Sequence, residues 1–168
     1  IQKCINGELH KCILSRVKNT SSEIKNPYQL FNKICDTYQH GFKYLLNHPQ
    51  YGLWVGISPE TLICGDLNSG FHTHALAGSI PVNSKQKWTK KEKEEHQYVV
   101  DHIKNLIDKY GSLISESRTE EVTAGNVKHL NKEFRFKINE GILSFIRALH
   151  PTPAIAGTPT KKAINFIN

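Results

Sequence analysis

Residues 89 to 110, "TKKEKEEHQYVVDHIKNLIDKY", constrain the fold more than any other stretch. Thr89 and Glu92 form a T-x-x-E capping box, and Val99, Ile103, Leu106 and Ile107 then recur as one apolar stripe on a helix. A helix with a single apolar face needs a surface to cover. The runs that could supply one lie on both sides of it. Before it come "FKYLLNH", "GLWVGIS", "TLICG" and "FHTHALAG", short and punctuated by Gly and Pro, which predict a meander of strands. After it, two shorter strands are expected around "SLISES" and "NVKHLNKEF". An opening strand is expected in "ELHKCILSRV", residues 8 to 17. Asn26 and Pro27 read as the cap and first turn of a helix carrying Leu30, Phe31, Ile34 and Tyr38. A later helix is expected from Asn139 through "GILSFIRAL", and a last one with Thr158 as cap and Pro159 at its first position. Strands and helices mix without strict βαβ alternation, which favours an α+β or complex α/β arrangement. No repeat or low-complexity linker interrupts the chain, so residues 1–168 are read as one undivided domain.

A chain of 168 residues can bury a core of its own. No window approaches the length of a membrane span, and the first residues lack the parts of a signal peptide, so a soluble cytoplasmic protein is expected. Cys4, Cys12, Cys35 and Cys64 are scattered without C-x-x-C spacing, and Cys12 and Cys64 fall in apolar runs, so reduced core thiols are expected. The formal charge of +7 raises the question of nucleic acid, but the lysines are spread among acids, as in "KKEKEE", and no basic stripe with interleaved aromatics appears. A small anionic ligand suits the charge equally well. The chain starts inside an apolar pattern without an initiator Met and stops inside "KKAINFIN", which reads as an excerpt of a longer protein. The sequence sets no oligomeric state.

Four places look unlike plain scaffolding. Lys11 shares a strand face with Ile13 and Ser15; either its stem lies along apolar surface with the ammonium in water, or the amine sits in a dehydrated pocket and can act as a base. Glu60 closes "GISPE" after Ser58 and Pro59, as a solvated turn acid or a functional one. Glu95 stands four and eight residues before Val99 and Ile103, so it extends the stripe inward; it either compensates the helix dipole or meets a hard cation such as Mg2+. The loop "LHPTPAIAGTP" is either a rigid connector or the delivery of a helix N-terminus that favours anions. Other patterns fail. His72 and His74 share a strand face but have no third ligand at suitable spacing, "VGISPE" lacks the closing glycine of a nucleophile elbow, and neither a P-loop nor a dinucleotide fingerprint is present.

Taken in order, "KCILSR", "GISPE", "ALAGS", "EEHQYVV", "KHL" and "LHPTPAIAGTP" resemble the chorismate-utilising enzymes, a family of isochorismate synthases, salicylate synthases and the large subunits of anthranilate and aminodeoxychorismate synthases. The resemblance implies their fold, packed β-sheets flanked by helices, present in part as a chorismate-binding domain over 1–168. It implies chorismate as substrate and Mg2+ as cofactor; the spread of charge and the lack of a membrane-length apolar window leave no nucleic-acid or membrane partner expected. Family members that add water to chorismate carry lysine where this chain has Lys11, whereas anthranilate synthases typically carry glutamine. Lys11 is then the base that takes a proton from water attacking C2, and Glu60 the acid that protonates the departing C4 hydroxyl. Glu95 matches the family's magnesium glutamate. Gly78 and Ser79 of "LAGS", His129 of "KHL" and Ala154 of "PTPA" match substrate contacts. Relatives that go on to eliminate pyruvate tend to carry a hydroxyl residue at the position of Ala154, so isochorismate synthase is favoured over salicylate synthase, in quinone or siderophore synthesis. Lys132 departs from the Thr or Ser common at its position. The family's second magnesium glutamate and its later arginine, glycine and lysine are not among these residues, so a protein of these 168 residues alone is expected not to turn over chorismate.

Overall fold

The computed structural model describes residues 2–21, 23–58 and 60–167; Pro59 of "GISPE" lies outside them. The chain forms two compact units where the sequence reading drew no boundary: Ile1–Ser15 with Leu62–Asn168, and Arg16–Thr61.

The smaller unit is a helix and a hairpin. Helix α2 (Pro27–Thr37) starts as expected, with Asn26 Oδ1 accepting from the Gln29 N–H at 3.1 Å and Pro27 in the first turn. Strands β2 (Phe42–His48) and β3 (Gly52–Ser58) pair antiparallel from Phe42↔Ser58 to His48↔Gly52. Both occupy the expected runs.

The larger unit opens with a short helix, α1 (Gln2–Ile5), and carries the sheet. Strand β8 (Val127–Ile138) is its centre. On one side it pairs along nearly its whole length with β5 (Gly70–Pro81), which in turn carries β4 (Cys64–Asp66). On the other side two strands share its edge: β6 (Gly111–Glu116) pairs with the C-terminal half and β7 (Glu120–Ala124) with the N-terminal half. All pairings are antiparallel.

Helix α3 (Lys90–Tyr110) lies across one face of this sheet. Its capping box forms: the Glu92 carboxylate accepts from the Thr89 N–H at 2.9 Å and from the Thr89 hydroxyl. Its buried side chains are His96, Val99, Val100, Ile103 and Ile107, and they meet Phe71, Ala75 and Ala77 of β5 and Phe134, Phe136 and Ile138 of β8. Helix α4 (Ile142–Leu149) closes the core with Phe145 and Leu149, the Phe145 ring standing 5.2 Å from that of Phe136. This helix begins three residues later than expected, because the Asn139 N–H is held by the Tyr110 carbonyl at 3.1 Å and Gly141 turns the chain in the left-handed region.

One residue reverses the sense of β5. From Phe71 to Ala77 the odd positions are buried against α3; between Ala77 and Ser79 the register with β8 slips by the one extra residue Gly78, and from there Ile80 is buried while Ser79 faces outward. Gly78 carries φ +72°, and a Cβ there would stand 3.2 Å from the Glu92 carbonyl oxygen.

Three further expectations are corrected. The opening strand is two residues long, β1 (Lys11–Cys12), and Leu14 and Val17 are 73% and 87% exposed, because the strand opposite it, β9 (Gly157–Thr158), offers two residues to pair with. Thr158 is therefore a ladder residue and not a cap: helix α5 (Thr160–Ile167) starts beyond it, with the Pro159 carbonyl accepting from the Ala163 N–H at 2.9 Å. All four cysteines are free, as expected of reduced thiols, but Cys4 and Cys64 are exposed and Cys12 and Cys35 half-buried, so none is a core thiol.

His102 ties α3 to α4, its Nε2–H donating to the Leu149 carbonyl at 3.3 Å. Burial lowers its pKa below the ordinary 6.5, against the opposing pull of that carbonyl. Above that value the ring is neutral in the folded and the unfolded chain, and its contribution is whole. As pH falls below 6.5 the unfolded chain takes up the proton first, and stability drains until the lower folded pKa is passed. The loss is at most about 1.4 kcal/mol per pH unit from this group. Urea midpoints measured between pH 8 and pH 5 are expected to fall less steeply in His102→Gln than in the parent protein; identical slopes would refute the assignment.

Candidate active site

Helix α3 is the spine on which the larger unit hangs its sequence-predicted residues. Its first turn backs the β5 bulge, through the approach of Gly78 to Glu92. One turn on stands Glu95, and one further Tyr98, whose ring stacks on His10 with centroids 6.2 Å apart, next to Lys11. Residues 92, 95 and 98 follow one another at helical spacing. Gly78, Glu95 and the strand of Lys11 are thus brought to successive turns of one element.

Lys11 is 8% exposed; among the described residues the other buried polar side chains are Thr73 and His96. Its place follows from its neighbours. The His10 N–H donates to the Thr158 carbonyl at 2.8 Å and the Ile13 N–H to the Ala156 carbonyl at 3.2 Å, so the backbone is clamped on both sides of the lysine. Gly157 permits this: with φ +129°, it lets the two backbones approach so closely that a Cβ would stand 2.3 Å from the Lys11 carbonyl oxygen. Of the two readings open for Lys11, the water-exposed ammonium is not the one the burial fits.

At the bulge, three sequence-predicted residues meet. His129 Nδ1 lies 3.0 Å from the Gly78 carbonyl oxygen and 2.9 Å from Ser79 Oγ. Were the alternation unbroken after Ala77, Gly78 and not Ser79 would stand opposite His129.

Glu95 is half-buried, 27% exposed, with Lys91 Nζ 3.8 Å away. The fully buried position at this level of the helix is its neighbour His96, whose Nε2–H donates to the Ala75 carbonyl at 3.1 Å. Burial chiefly holds the His96 pKa low, and the Lys132 charge adds to this while the carbonyl opposes it. The sequence reading missed His96, although the spacing 96, 99, 103, 107 contains it. Among the described residues no three His, Cys, Asp or Glu side chains gather into a metal cage. A lone half-buried carboxylate suits Mg2+, which keeps waters and is commonly held by one or two carboxylates together with an anionic substrate.

Ala154 is half-buried against the core cluster. Lys132 is satisfied within the protein: at 17% exposure, its Nζ lies 3.1 Å from Glu116 Oε1, while Lys104 Nζ lies 3.1 Å from Glu116 Oε2. The hydrogen bonds from Lys104 and then Lys132 hold the Glu116 carboxyl below the usual carboxylate range. Glu60 belongs to the smaller unit, where it is exposed and its carbonyl accepts from Ser58 Oγ at 3.4 Å. Thr158, expected only as a helix cap, stands opposite Lys11 in register; its Oγ1 is buried and, with Trp88 Nε1, is one of two such side-chain atoms without a hydrogen-bond partner among the described residues.

The sequence profile of the family described as chorismate binding enzyme matches residues 1–168. The chain belongs to the chorismate binding enzyme family. The eight curated relatives that this chain matches all carry isochorismate synthase in their names. The salicylate biosynthesis isochorismate synthase of Pseudomonas aeruginosa is 30% identical over 127 residues, 68% of this chain and 26% of its own length. Among solved structures, DhbC of Bacillus anthracis superposes with a TM-score of 0.81 at 26% identity, over 99% of this chain and 49% of that one. Anthranilate synthase component I of Streptococcus pneumoniae shares the fold, with a TM-score of 0.68 at 19% identity over 99% of this chain and 39% of its own. The chain spans less than half the length of these proteins. The expected fold, sheets flanked by helices in the manner of anthranilate synthase component I, is the fold observed. No helix among the described residues is long and apolar enough to cross a membrane.

Proposed function

We propose that this protein is an isochorismate synthase, converting chorismate to isochorismate with Mg2+ by adding water at C2 and losing the C4 hydroxyl. The observation that carries the reading is the burial of Lys11 beside α3, at the motif position where water-adding members of the family have lysine.

A lysine removed from water gives up its proton more readily, because the charged form loses its solvation. The Lys11 amine then takes a proton from water as its oxygen bonds to C2; the ring double bonds shift and the C4–O bond breaks. The leaving oxygen departs as water once protonated, so one water enters and one leaves. The acid role falls to Glu60 by its place in the S-P-E motif and rests on that motif alone. Glu95 is the carboxylate that would hold Mg2+, which when bound neutralises and orients the substrate's ring carboxylate. Ala154 offers no hydroxyl where pyruvate-eliminating relatives tend to have one, which supports a reaction that stops at isochorismate.

The test is incubation of the full-length protein with chorismate and Mg2+. Isochorismate without pyruvate is expected; released pyruvate with salicylate would replace the reading by salicylate synthase, and no turnover would reject both. Glu95→Gln is expected to raise the Mg2+ concentration for half-maximal activity at least about tenfold, since even indirect supports of metal sites are worth that much. An unchanged metal titration would remove Glu95 from the site.

A further inference from the structure

The contacts of His129 fix more than its position. A carbonyl oxygen can accept a hydrogen bond but never donate one, so the approach of Nδ1 to the Gly78 carbonyl at 3.0 Å is favourable when Nδ1 carries the proton. With the proton on Nε2 instead, the Nδ1 lone pair would face the carbonyl lone pairs. The Ser79 contact at 2.9 Å fits the same arrangement: its oxygen accepts a share of the Nδ1 proton, which leaves its own O–H to donate elsewhere. The carbonyl is placed for this by the bulge, because Gly78 is the residue left over when Ala77 pairs with Leu130 and Ser79 with His129.

We propose that the Gly78 carbonyl locks neutral His129 in the tautomer protonated at Nδ1, so that the ring presents a lone pair at Nε2 and Ser79 presents a hydroxyl donor beside it. Gly78 is then a positioning residue that acts through the ring. A ligand group meeting Nε2 must bring a hydrogen of its own, as a hydroxyl or a water does, whereas a carboxylate oxygen suits Ser79. This assignment rests on the functional reading only where it takes chorismate as the ligand.

Two measurements test it. In full-length protein labelled with 15N-histidine, two-bond proton–nitrogen correlation spectra at pH 8 are expected to show His129 with its proton on Nδ1; a ring protonated on Nε2 would overturn the proposal. Calorimetric titration with chorismate then compares two replacements. His129→Gln keeps an amide near the Nε2 position, and His129→Asn keeps one near Nδ1 alone. Asn is expected to weaken binding at least tenfold more than Gln; equal losses, or the reverse order, would show that Nε2 does not meet the ligand. A parent protein that bound no chorismate would reject the functional reading, while the spectra still decide the tautomer.

Discussion

Lys11→Gln is expected to lower the rate constant for the proposed isochorismate formation by about 10² to 10⁴-fold, the usual worth of a positioned general base, and to leave chorismate affinity within a few fold. Glutamine is close to lysine in length and can fill the same buried place between the clamped backbones of β1 and β9. It has no lone pair basic enough to take a proton from water. The expected signature is a fall in kcat with little change in KM, because the missing interaction belongs to the transition state. Rate measurements across pH on the full-length protein check it. Near-parental kcat in the variant would remove Lys11 from the base role, and a matched loss of binding would make it a substrate anchor instead.

Gly157→Ala is expected to be strongly damaging to the larger unit. It combines two penalties. The residue sits at φ +129°, which side chains rarely adopt, and its new Cβ would stand 2.3 Å from the Lys11 carbonyl oxygen and 2.9 Å from Ala163 Cβ. Backbone strain of this kind costs about 1–3 kcal/mol, and overpacking a further 1–3 kcal/mol. Gly125→Ala supplies the comparison, since Gly125 also has positive φ, +58°, but nothing lies within 4 Å of the added atom. Urea denaturation is expected to show Gly157→Ala losing at least about 2 kcal/mol more than Gly125→Ala, and the chorismate reaction should fall with it as Lys11 is pushed from its place. Equal losses would mean that strand β9 can move aside at no cost, contrary to the ladder described.

Elements that announce themselves through adjacent residues were legible in the sequence. Helix α3 carries its cap and its stripe within 22 residues of chain, from 89 to 110, and β2 and β3 are bounded by Gly and Pro on both sides. What was lost is what distant partners decide. Strand β7 was missed because "EEVTA" offers Val122 as its one large apolar residue; its conformation comes from pairing with β8. Thr158 before a proline has the chemistry of a helix cap, and nothing local reveals that Lys11 claims it as a ladder partner. The motifs named the site's residues by resemblance, but the meeting of Ser79 and His129 depends on a register slip that alternation alone does not foretell. Glu95 looked inward because the stripe was drawn through residue 95, where the deeper line passes through His96.

The bulge at Gly78 acts as a phase shifter within a single continuous strand. Upstream of it, one parity of side chains is scaffold; downstream, the other parity is, and the surface it vacates becomes available to reagents. Removing Gly78 together with the bulge would leave both surfaces as they are, whereas removing the bulge and keeping the residue would turn every downstream side chain over. A homologue lacking the extra residue could keep its serine opposite the histidine, but it would lose the bulged carbonyl that meets the ring.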